Sequence, residues 1–242
     1  MPNVMSDFLP PLPSRTVTTI EDAIEQMRWV SNALPAADGL ACFNRMYLVV
    51  TENVLNEVTA TTMFEDAPFM SRLDVNFANL YFGAIGEYED SPDTAPRCWR
   101  ELLENHDDGH IAPMEFAMAG MSAHINHDLP IAVVATCEDL STAPEEGSHA
   151  VDFERVNALL DSLDQTIRES FETGVLLELD REAAGLENLA GSFAIGAARR
   201  AAWESALALW NLRWDRRLTR DYEDGLDDAA TIVARSLMRP LL

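Results

Sequence analysis

The sequence predicts an all-α fold: a single-domain bundle of about seven or eight helices with a kinked central helix. Three observations carry this reading. Apolar residues recur at helical spacing along most of the chain, and no segment sustains two-residue alternation. Capping residues and prolines stand where those periodic runs begin. The most hydrophobic run, Met114–Cys137, holds Pro130 well inside it, where a proline bends a helix. With 242 residues, 48% of them hydrophobic, the chain can bury a core without disulfides or metals.

The elements follow in order. Residues 1–17 are rich in proline and read as an extended arm, which leaves 18–242 as one helical domain. Thr18 or Thr19 caps a first helix reaching about Leu34, with Glu21 and Asp22 favouring its dipole, and Pro35 ends it. A second helix runs from near Asp38 to about Thr59, and a third from roughly Pro68 to Tyr88. EYEDSPDTAPR reads as a loop, Arg97–Leu103 as a short helix and ENHDDGH as another loop. Pro113 suits the first position of the next helix. After the loop EDLSTAPEEGSH come a helix at about Asp152–Glu172 and weaker helical signal over Leu176–Leu186. A long helix at about Leu189–Leu218 and a last one at Asp224–Met238 close the chain.

Composition narrows the function. A formal net charge of -24 argues against nucleic acid and anionic membrane surfaces as partners, because both would be repelled. All seventeen basic residues are arginine, so no lysine Schiff base can form and a standard P-loop is excluded. Cys42, Cys98 and Cys137 are far apart and form no CxxC pair, which indicates neither a zinc ribbon nor a disulfide framework. That usage fits a reducing cytoplasm. The N-terminus MPNVMSDFLPPLPSR lacks the basic start and apolar run of a signal peptide, and no apolar stretch reaches the roughly 20 residues of a membrane span. A homodimer is compatible with this composition.

The most informative residues are polar ones placed on apolar helical faces, since each costs free energy there unless paired. On the third helix Asp74 shares its face with Met70, Phe77, Tyr81 and Ile85, which demands either a raised pKa or a buried ion pair. On the second, Asn44, Tyr47 and Thr51 fall on the stripe of Leu40, Leu48 and Leu55. Near the C-terminus Arg199 aligns with Trp203 and Trp210, an arrangement suited to stacking plus a carboxylate, with Asp74 or Asp128 as the expected partner.

The sharpest signal is His124-Ile125-Asn126-His127-Asp128. His124, His127 and Asp128 stand at i, i+3 and i+4 and share a face with Gly120 and Ile131. Gly120 is expected to leave room one turn above His124. Pro130 cannot donate to the Asn126 carbonyl, so the helix should deform within the motif. Three chemistries fit. Two imidazoles and a carboxylate can ligate zinc or iron, although adjacent His127 and Asp128 should splay apart and no HExxH pattern is present. Alternatively, Asp128 can orient His124 for acid–base work. The third option is a structural network that satisfies itself.

The blocks CFNRMYL, FMSRLDVNFANLYF, PRCW, DFERVN and above all EFAMAGMSAHINHDLPIAVV resemble a bacterial family common in actinobacteria, domain-of-unknown-function family 5995. The resemblance runs from about residue 39 to the C-terminus. It implies a helical single domain and no established activity.

The leading expectation is a small-molecule enzyme of bacterial specialised metabolism with no required cofactor and a largely apolar substrate. His124 or His127 serves as acid or base, Asp128 and Asp74 as orienting carboxylates. Asn44, Tyr47, Tyr81, Asn126, Arg199 and Trp203 line the substrate site. Proton transfer would drive cyclisation, isomerisation or hydrolysis. A second reading is a hydrolase or oxygenase holding a divalent metal on His124, His127, Asp128 and Asp74. The third is a non-catalytic binding module.

Overall fold

The computed structural model describes residues 12, 16–60, 63–171 and 195–238, with backbone alone at 164–171. Regular structure among the described residues is entirely helical. Helix α1 (Ile20–Ala33) opens on a capping box: Thr19 Oγ1 accepts from Asp22 N at 3.1 Å, and the Asp22 carboxylate accepts from Thr19 N at 3.2 Å. Helix α2 (Gly39–Ala60) starts against Asp38, whose Oδ1 takes the free amides of Leu40 and Ala41. The other oxygen of Asp38 lies 2.6 Å from His106 Nδ1 and ties that start to a later loop. Helix α3 (Ala67–Asp90) is capped by Asp66, and a single 3-10 turn at Pro92–Thr94 leads to the short α4 (Arg97–Glu104).

Helix α5 (Pro113–Ala123) runs through a five-residue π turn, His124–Asp128, into α6 (Leu129–Leu140). Helix α7 (His149–Phe171) follows, then α8 (Ile195–Leu212) and α9 (Arg216–Leu237). The expected long helix at Leu189–Leu218 therefore ends at Leu212, its residues 189–194 lying outside the described residues, and the final helix starts earlier than Asp224. Asp215 causes the break: its side chain accepts from Arg217 N and Leu218 N and so begins a new helix. The weaker helix expected over Leu176–Leu186 and most of the Pro-rich arm lie outside the described residues.

Helix α2 sits centrally, with α1, α3 and α5 against it; α6 packs on α3 and α8, and α9 covers α4 and α5. Helices α2 and α5 approach closely, and each notches the other. A Cβ on Gly39 would stand 2.5 Å from the Phe116 ring, and one on Gly120 would stand 2.5 Å from the Phe43 ring. Residue 39 meets 116 and residue 43 meets 120, so the two helices run in the same direction at this contact. The space expected above His124 is thus filled by Phe43 and is not open. No helix among the described residues is long and apolar enough to cross a membrane.

Candidate functional site

The deformation expected near Pro130 takes the form of the π turn, closed by Leu129 N donating to the His124 carbonyl. Proline brings no N–H to the following turn, which removes one bond that would have held regular α geometry. Such turns recur at functional sites because they re-aim side chains within an otherwise rigid helix.

Here the turn gathers three donors on one carboxylate. His124 Nδ1 is 2.8 Å from Asp128 Oδ2, His127 Nδ1 is 2.6 Å from Asp128 Oδ1, and Trp99 Nε1 donates to Asp128 Oδ2 at 2.8 Å. His127 and Asp128 do not splay apart as expected of neighbours; within the wider π turn they bond directly. Burial would raise the Asp128 carboxyl, but the bonds and charge of the two imidazoles hold it below its usual range. An ionised Asp128 has only lone pairs to offer, so each imidazole carries a proton on Nδ1 and, while neutral, presents Nε2 as an acceptor.

The two histidines then diverge. His124 is 1% exposed, and burial pushes its pKa below the ordinary value despite the pull of Asp128. For His127 burial also lowers the pKa, but the bond to Asp128 and the charges of Asp128, Asp227 and Glu223 outweigh it and raise the value. One carboxylate therefore serves a neutral imidazole inside and a more readily protonated one nearer the surface.

Aromatic rings wall the inner histidine. Phe77 stacks on it with centroids 3.4 Å apart, Tyr47 meets it edge-on at 4.6 Å, and Phe43, Tyr81 and Trp99 complete the enclosure. In and beside this wall four buried polar atoms have no hydrogen-bond partner among the described residues: Tyr47 Oη, Thr51 Oγ1, Asp74 Oδ2 and His124 Nε2. Tyr47 links them: its ring meets that of His124, and both Asp74 and Thr51 influence its phenol. Thr51 is one turn beyond Tyr47 and close enough to favour the ionised phenol slightly, though the pair falls short of hydrogen-bond geometry. Asp74 sits one turn before Phe77, and its charge, after burial, is the main influence raising the Tyr47 pKa. Burial alone pushes Asp74 to about 7. The ion pair considered for Asp74 is absent among the described residues. Each such group costs about 1–3 kcal/mol while unpartnered, so each calls for a partner that the described residues do not supply.

Other expected site residues fall elsewhere. Asn44 is fully used: Nδ2 donates to the Met27 carbonyl and Ser31 Oγ, and Oδ1 accepts from Tyr81 Oη, which pins α1 to α2 and α3. Asn126 donates to Ser122 Oγ at 3.1 Å, back along its own helix. Arg199 does not reach Asp74 or Asp128. Its Nε donates to Asn157 Oδ1 and its Nη2 to the Phe153 carbonyl, while the guanidinium lies over the Phe153 ring at 4.3 Å. Burial lowers Arg199 to about 10. Trp203 packs on the same Phe153 ring, so both residues dock α8 on α7.

Several contributors went unread in the sequence. Trp99 was visible only as part of PRCW, and nothing local ties an indole on α4 to a carboxylate 29 residues later. Asp227 on α9 accepts from Arg97 N and Cys98 N, fixing the start of α4 beneath that indole. Asp152 on α7 accepts from Glu65 N, Asp66 N, Ser148 Oγ and Arg155. No group of three His, Cys, Asp or Glu side chains among the described residues converges to hold a metal ion. Asp128 spends both oxygens on the imidazoles instead.

A family model described as a family of unknown function (DUF5995) matches residues 20–240. No curated protein and no solved structure matches the chain.

Proposed function

From the premise that this chain belongs to the family of unknown function DUF5995, we propose that it is a small-molecule enzyme performing acid–base chemistry on a largely apolar substrate. The observation that carries this reading is the opposite displacement of two imidazoles held by one carboxylate. Titratable neighbours pushed apart in pKa are the arrangement that lets one group accept a proton while the other holds one. His124, kept neutral, is the general base through Nε2, with Asp128 and Trp99 fixing its tautomer. Tyr47 and Asp74, both favoured in their protonated forms, donate hydrogen bonds or a proton to the same space. His127 is the proton-bearing partner nearer the surface. The aromatic wall excludes water and suits an apolar body, so proton movement would lead to cyclisation, isomerisation or hydrolysis. Bacterial specialised metabolism is the setting this chemistry suits. A purely structural network would satisfy its own members, whereas His124 Nε2, inside the network, has no partner among the described residues.

Two measurements test the reading. Long-range proton–nitrogen NMR should find both rings protonated at Nδ1, with His124 neutral at pH 6 and His127 titrating above its ordinary value. A cationic His124 at that pH sinks the assignment. Mass spectrometry of an apolar metabolite extract incubated with the protein should show a component consumed by wild type and spared by His124→Gln. Equal consumption by the variant rejects His124 as the base.

A further inference from the structure

Between α6, α8 and α9 lies a concavity with a volume of about 180 Å³. One stripe of each helix lines it: Ile131, Val134 and Glu138 from α6, Leu209 and the following Arg213 from the end of α8, and Glu223 from α9. This is smaller than a typical drug-sized site and fits a single compact metabolite.

Arg213 is the cationic member. The chain carries 41 acidic against 17 basic residues, and Arg28, Arg97, Arg100, Arg155 and Arg235 each reach a carboxylate. Arg213, like Arg199, pairs with none among the described residues. Its guanidinium is instead fixed by the Trp210 carbonyl and lies 3.7 Å over the Trp210 ring and 4.5 Å over the Trp214 ring. Trp214 is 83% exposed, so this indole is kept in water where it contributes little to the core. A stacked, preorganised guanidinium with remaining donors is a receptor for a planar anion. Its charge stands against two carboxylates in the same groove: Glu138, exposed at the rim, and Glu223, half-buried near His127. A simple anion would be repelled by the glutamates, and a simple amine would leave Arg213 unanswered. A molecule bearing both charges answers all three.

We infer that this groove binds a small zwitterion with an aliphatic side chain, in the class of an apolar amino acid. The carboxylate rests on Arg213, the ammonium faces Glu138 and Glu223, and the aliphatic part lies on Ile131, Val134 and Leu209.

Isothermal titration of the full chain at pH 7.5 with three probes tests this: L-leucine, 4-methylpentanoate, which lacks the ammonium, and 3-methylbutylamine, which lacks the carboxylate. Leucine should bind at one site, with each single-charge probe at least about tenfold weaker. Arg213→Gln should weaken leucine about tenfold and leave 3-methylbutylamine unchanged, and Val134→Trp, which fills the groove, should abolish binding of all three. The inference is overturned by no saturable leucine binding up to about 10 mM, by a single-charge probe that binds as well as leucine, or by an Arg213→Gln protein that binds leucine normally. If Arg213→Gln fails to fold, the probe series on wild type decides alone. No readout involves turnover, so the result is independent of the role given to His124.

Discussion

Asp128→Asn removes a charge from the centre of the network while keeping its shape. Asp128 is 1% exposed and accepts three bonds of 2.6–2.8 Å. Asparagine offers one oxygen and one NH2. The oxygen best replaces Oδ2, where Trp99 and His124 converge, which turns the NH2 toward His127 Nδ1. His127 must then accept, moving its proton to Nε2. The Trp99 and His124 bonds fall from charge-assisted to neutral, at roughly 1 kcal/mol each, and rearrangement at His127 adds a similar amount. The expected destabilisation is about 2–4 kcal/mol. Urea unfolding followed by tryptophan fluorescence at pH 7.5 measures it, and NMR titration should show the His127 pKa falling. A loss below about 1 kcal/mol with an unchanged His127 titration would show that Asp128 does not organise the site.

Three further outcomes follow from other parts of the fold. Burial raises Asp74 to about 7 from 3.8, so its folded form holds the proton more tightly than the unfolded chain does. Stability from this group is fully present below about pH 4 and is lost as pH rises to about 7. Asp74→Asn should flatten that slope and stabilise the protein by roughly 4 kcal/mol at most at pH 8, read from denaturation curves across pH; an unchanged slope contradicts a buried, unpaired Asp74. Gly120→Ala drives a methyl to 2.5 Å from the Phe43 ring and should cost about 1–3 kcal/mol, with an altered near-ultraviolet circular dichroism signal; a neutral thermal melt would mean the α2–α5 contact is looser than described. Asp152→Ala leaves the amides of Glu65 and Asp66 without their acceptor and should cost about 2–4 kcal/mol, with hydrogen exchange rising first at the start of α3.

The HINHD motif was legible because i, i+3, i+4 spacing fixes a face, and the partners of Asp128 on its own helix are local. Asp74 was legible too, as an acid on a stripe of Met70, Phe77 and Tyr81. Helical spacing says which way a side chain points on its helix and nothing about which helix it meets. Arg199 shows the limit: it was rightly placed on a buried face, but its acceptors Asn157 and Phe153 lie 42 and 46 residues away and could not be chosen over Asp74 or Asp128. Trp99 was missed for the same reason. The break at Asp215 was hidden because apolar periodicity continues across it, while a single aspartate capping two amides leaves only a faint local mark.

The π turn is also a matter of phase. It spends one residue more than regular α-helix needs, so α5 and α6 form one rod written in two registers. That offset lets α5 address α2 and α9 while α6 addresses α3 and α8. Deleting one residue here would restore an unbroken helix and swing every side chain of α6 by about 100°. The same deletion would part Asp128 from the imidazoles it holds. Chain length at this point is therefore constrained as tightly as residue identity, and a regular helix is the one form this segment cannot take and still carry the site.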